Sequence, residues 1–135
     1  MYKFNYNDKE YELKKEKCQD FFNDEEKPVI GFEVEEVLEV LKSGENVKFD
    51  LEYYKEACEA CYDGQRQKSY KFLEYFFYVF TKDANYVTSS ISNEYKDTSY
   101  NKLLKEKKVD NSYIVKVIVC ENCGEFTVEV EECEI

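Results

Sequence analysis

Tyr2, Phe4 and Tyr6 alternate with polar residues, and the alternation resumes at Tyr11 and Leu13. Asn7-Asp8-Lys9-Glu10 between them is turn chemistry, so the chain is predicted to open with a β-hairpin. Positions 14–24 show little pattern beyond the Phe21-Phe22 pair. Further on, Val34, Val37, Leu38 and Leu41 recur at i, i+3, i+4 and i+7, with Glu33, Glu35, Glu36 and Glu39 on the other side. That spacing predicts an amphipathic helix stopped at Gly44. Positions 47–49 read as a short extended link. Asp50 then offers an N-cap for a second helix, running from Leu51 towards Cys61.

The stretch 69–81 is apolar nearly all round: Phe72, Leu73, Tyr75, Phe76, Phe77, Tyr78, Val79 and Phe80 leave no polar face. A buried helix and a buried strand both fit such a run. Its length and lack of breakers tip the reading to a helix, and either element belongs at the centre of the core. Positions 86–91 are weakly β-prone, and 99–108 read as a further helix burying Leu103 and Leu104. Tyr113, Val115, Val117 and Val119, then Phe126, Val128 and Val130, form two alternating runs. Cys120-Glu121-Asn122-Cys123-Gly124 lies between them, which predicts a C-terminal β-hairpin. The expected fold is α+β: one domain over 1–135, with N-terminal and C-terminal β-hairpins and three to four helices between them.

Composition adds exclusions. Of 135 residues 43% are hydrophobic, and 13 Tyr and 10 Phe supply ample core material, so a disordered chain is not expected. Lys+Arg 19 against Asp+Glu 30 leaves a net charge of −11, which repels phosphate backbones and argues against nucleic acid as a partner. The one basic stretch carries Lys102, Lys105, Lys107 and Lys108 around Glu106, and reads as the solvated face of a helix. No apolar leader opens the chain, and the longest fully apolar run, 75–80, is far too short for a membrane span. A cytoplasmic location is expected. In that reducing compartment paired cysteines hold metal or do redox work more often than they form disulfides.

Six cysteines are present: Cys18, Cys58, Cys61, Cys120, Cys123 and Cys133. Four fall into two CxxC pairs. Two intervening residues let both thiolates bend onto one ion while backbone N–H groups support the sulfurs. Cys120-Glu121-Asn122-Cys123-Gly124 resembles the knuckle of zinc ribbons and rubredoxin-like proteins, with Gly124 free to take the positive φ that closes the turn. Cys58-Glu59-Ala60-Cys61 departs from that pattern: glycine arrives only at Gly64, and the pair is expected at a helix end. Between Cys61 and Cys120 lie positions 62–119, or 119 − 61 = 58 residues. A compact ribbon has about 15–20 there. A shared ion would therefore pin distant parts of the chain together and close a long loop. Cys58, Cys61, Cys120 and Cys123 are the predicted metal ligands, for structural zinc, with iron compatible with the same spacing. Redox use of one pair and simple burial of small thiols are the alternatives. Cys18 and Cys133 stand outside the two pairs; Cys133 could replace a ligand but is expected to be a buried or free thiol.

The chain has no histidine. That removes Ser–His and Cys–His nucleophile pairs and His general bases. A four-thiolate zinc site leaves no open position for water. None of Gly31, Gly44, Gly64 and Gly124 builds a phosphate-cradling loop. Carboxylate pairs such as Glu35/Glu36 and Glu131/Glu132 are too common here to mark a site. With Cys58-Glu59-Ala60-Cys61 and Cys120-Glu121-Asn122-Cys123-Gly124, the chain resembles a small family of uncharacterised bacterial proteins, a domain of unknown function. That resemblance implies no catalytic residues. The expectation is a non-enzymatic, metal-stabilised module that binds a protein partner or regulates one. The alternative is a thiol-redox or electron-transfer protein using the CxxC pairs.

Overall fold

The computed structural model describes residues 1–133. Strand β1 (Tyr2–Tyr6) turns through Asn7 and Asp8 into β2 (Lys9–Leu13), forming a separate two-stranded hairpin. Both turn residues have positive φ, +51° and +64°, the geometry that matches the twist of a two-residue hairpin. A short 3-10 turn leads into β3 (Cys18–Phe22), and helix α1 (Val34–Ser43) follows. The chain then gives β4 (Asp50–Tyr54), the long β5 (Tyr70–Lys82) and β6 (Asn85–Ser89). Helix α2 (Tyr100–Lys105), β7 (Asn111–Cys120) and β8 (Phe126–Glu132) complete it.

Six strands form one sheet in the order β3-β8-β7-β5-β4, with β6 pairing the second half of β5. All pairings are antiparallel except β3 with β8. The sheet's inner face carries Leu73, Phe77, Val79, Val115, Val117, Val128 and Val130. Against it pack Val37, Leu38 and Leu41 of α1 and Tyr11 and Leu13 of β2. The α1 spacing therefore does what its period implies, and Glu33 and Glu36 close its first turn in a reciprocal capping box. The outer face stays open except at one end, where Leu103 and Val109 around α2 cover Phe80. Among the described residues no helix is long and apolar enough to cross a membrane.

The expected α+β class with three to four helices is overturned. Among the described residues the protein is mostly β, 42% strand and 17% helix, with two α-helices, only one of them longer than a single turn or two. Two segments account for the difference. The stretch 69–81 is the central strand: Leu73, Phe77 and Val79 point into the core while Phe72, Phe76 and Tyr78 lie on the other face. A strand apolar on both sides has no alternation to read, so it mimics a buried helix. The predicted helix from Leu51 towards Cys61 is edge strand β4 followed by irregular loop. Leu51 pairs with Leu73 and Tyr53 with Lys71, so sheet pairing overrides the N-cap signal at Asp50. The 99–108 helix survives as the short α2, with Leu103 buried and Leu104 half-buried.

Candidate metal centre

The β7–β8 turn is built by the sheet. Val119 pairs with Phe126, and beyond them the Cys120 N–H donates to the Glu125 carbonyl at 2.8 Å. The Gly124 N–H donates to the Cys120 carbonyl at 2.9 Å, and Gly124 sits at φ +79°. Backbone N–H groups of Asn122 and Cys123 point at the Cys120 sulfur. This is the knuckle geometry expected of a CxxCG turn.

The other pair arrives by topology. Strand β5 runs antiparallel to β7, and Phe72 pairs with Cys120, so the start of β5 lies beside the end of β7. The 55–69 connection between β4 and β5 therefore hangs at the same end of the sheet as the knuckle. Within it Cys58, Glu59, Ala60 and Cys61 make one turn, closed by the Tyr62 N–H on the Cys58 carbonyl at 3.0 Å. No helix precedes that turn, which corrects the expected helix end. Backbone N–H groups of Ala60 and Cys61 point at the Cys58 sulfur, mirroring the knuckle.

Together the two turns bring the Cys58, Cys61, Cys120 and Cys123 sulfurs within 4.8 Å of one another. Cys58 lies 3.6 Å from Cys123, and Cys61 lies 3.6 Å from Cys120. Zinc–sulfur bonds of about 2.3 Å place tetrahedral thiolates ~3.8 Å apart, so the cluster fits a single ion. A disulfide needs about 2.05 Å, and all four thiols are free. The chain belongs to the family described as protein of unknown function (DUF3785). The family model matches residues 2–135. No curated protein and no solved structure matches the chain.

Two side-chain amides supply hydrogen bonds to the cluster's sulfurs. The Gln19 side-chain amide donates to the Cys58 sulfur at 3.4 Å, and that of Asn122 to the Cys61 sulfur at 3.5 Å. Burial alone would raise the Cys58 thiol, but the Gln19 amide, the Cys61 and Ala60 N–H groups and the Cys123 thiol outweigh it and hold it at about 7. Burial raises the Cys120 and Cys123 thiols despite their N–H contacts. A bound cation would reverse that sign and hold all four as thiolates.

The N-terminal hairpin buttresses the knuckle from outside. The Tyr11 hydroxyl donates to the Glu121 carbonyl at 2.7 Å. Lys9 Nζ reaches the Glu121 and Asn122 carbonyls at 3.1 and 2.8 Å. These contacts, like that of Gln19, were not legible in sequence: Gln19 lies in the patternless 14–24 stretch, and Lys9 read only as turn. Cys18 and Cys133 stand outside the cluster. Cys18 is half-buried with its thiol donating to the Asp20 carbonyl at 3.3 Å, and Cys133 is a half-buried free thiol.

Proposed function

We propose that the protein is a zinc-stabilised, non-enzymatic module of the reducing cytoplasm that acts by binding a protein partner. The observation that carries the metal part is the four-sulfur cluster itself, within 4.8 Å and assembled from two turns with N–H groups aimed at their sulfurs. Two remote stretches of chain converge there. Four thiolates around one zinc ion leave no position for substrate, so the ion's role is to hold the fold. The absence of histidine and of a phosphate-cradling loop supports a binding role over catalysis.

Elemental mass spectrometry on untagged protein tests the metal. One zinc per chain is expected, and Cys58→Ser/Cys120→Ser should abolish it. Iron instead would move the protein to electron transfer. A metal-free protein, purified without oxygen and unchanged in stability by the double substitution, would sink the proposal.

A second reading rests on the Cys58 thiol, held at about 7 and 3.6 Å from Cys123. A thiol that ionises near neutrality is a competent nucleophile for dithiol–disulfide exchange. A reversible two-electron dithiol couple in the folded, metal-free protein would favour this reading. Inert thiols in a colourless protein would remove it.

A further inference from the structure

The outer face of the sheet displays Phe72, Glu74, Phe76 and Tyr78 from β5 beside Ile114, Lys116 and Ile118 from β7. Phe76 is 50% and Tyr78 40% exposed, and their rings pack edge to face. At the metal end this face deepens into a cleft of about 280 Å³ between β3 and the Cys58 turn. Apolar side chains line it at Phe22, Tyr54, Phe72 and Ile118, with the Tyr54 and Phe72 rings in edge contact at 5.1 Å, and Gln19 and Thr127 add polar lining. Its carboxylates are Asp20, Glu56, Glu59, Glu125 and Glu129. Among the described residues no lysine or arginine lines it. None of those carboxylates has a cationic partner within 4.0 Å among the described residues. The nearest cation in register is Lys116, opposite Glu129, on a face that also carries Asp50, Glu52, Glu74 and Glu131.

That combination selects the occupant. A second copy of a chain with net charge −11 would bring carboxylates against carboxylates, and an anionic lipid surface would be repelled equally. Arginine and lysine side chains suit it on both counts, because their methylene stems cover aromatic lining while their heads reach the carboxylates. We propose that this cleft binds an Arg/Lys-rich amphipathic segment of a protein partner. Glu56, Ala57 and Glu59 form one wall and flank Cys58, so an intact wall rests on the metal-stabilised reading above.

The test is fluorescence anisotropy with a labelled peptide of repeated Arg-Leu-Lys units, on protein whose metal content is measured in the same samples. The triple change Glu56→Gln/Glu59→Gln/Glu129→Gln is expected to weaken binding by at least about tenfold. Glu10→Gln/Glu39→Gln/Glu94→Gln removes equal charge elsewhere and is expected to cost less than about twofold. Phe22→Ser, at a side chain already 53% exposed, is expected to cost about fivefold without unfolding the protein. Equal losses in the two triple variants would overturn the proposal in favour of diffuse attraction. Displacement of the peptide by spermine, with Phe22→Ser silent, would overturn it in favour of a small organic cation. A metal-loaded protein that ignores the peptide would refute the cleft and leave the metal reading standing. Binding by a protein that carries no metal would keep the cleft and show that its wall stands without the ion.

Discussion

The two cysteine turns of the cluster are alike in local design and opposite in support. The Cys120/Cys123 turn closes a hairpin whose strands pair over seven positions, from Tyr113–Glu132 to Val119–Phe126. Its carbonyls are clamped by Lys9 and Tyr11. The Cys58/Cys61 turn lies in the irregular 55–69 connection, where most residues are exposed and backbone pairing is sparse. Cys58, the buried residue of that connection, touches the rest of the protein through the Cys123 sulfur and Gln19. One half is therefore formed by folding of the sheet, and the other is held through its sulfurs. A metal in this site would do most of its structural work on the loop.

The strongest challenge to that contrast is a change that removes the sheet's own support. Phe77, 2% exposed at the middle of β5, faces the core of the sheet that carries both turns. Phe77→Ala is expected to lower global stability by roughly 3–5 kcal/mol in chemical denaturation. Both turns should be lost in a single transition. Loss of the loop alone, with the knuckle intact, would show that the halves do not share one core.

Metal removal should separate what Phe77→Ala loses together. On adding a chelator, or in Cys61→Ser, amides of 55–69 are expected to exchange quickly while those of β7 and β8 stay protected. The accompanying loss is about 2–4 kcal/mol, by analogy with a covalent cross-link closing a loop of this length. Hydrogen exchange followed by mass spectrometry reads both regions at once. Uniform deprotection would mean that the knuckle also depends on the ion.

The same contrast explains what could be read from the residues. The two hairpins and α1 were legible because each buries one face, so apolar and polar positions repeat with period two or 3.6. Four cysteines in CxxC spacing announced their own convergence, whatever the fold between them. Strand β5 fits both a strand and a helix in sequence because its ends and faces answer to different covers: α1 and the hairpin inside, α2 over Phe80, and open aromatics between. Strand β4 looks like a helix start because Asp50 is a good cap in isolation, while the pairing that decides it comes from residues 22 and 24 positions away, Leu51 with Leu73 and Asp50 with Glu74. The Gln19, Lys9 and Tyr11 contacts on the site are likewise products of topology: Tyr11 and Glu121 meet across 110 positions.

The smallest effect tests whether the hairpin clamp adds to the knuckle's support. Tyr11→Phe keeps the buried ring and deletes only the hydrogen bond to the Glu121 carbonyl. Its expected cost is about 1 kcal/mol, the usual net worth of one such bond. Faster exchange should appear in the knuckle amides and not in 55–69. Alkali gives an independent check. Burial first, then the charges of Glu121 and Cys120, push the Tyr11 hydroxyl up to about 12 from its ordinary 10. The folded protein thus favours the protonated phenol. The stability tied to this group is complete below pH 10 and is lost as pH climbs through about 12. The phenylalanine variant has no proton to lose there, so its deficit against the parent should shrink between those two values. A deficit that stays constant across that window would assign the loss to altered packing and would leave the knuckle supported by β7 and β8 alone.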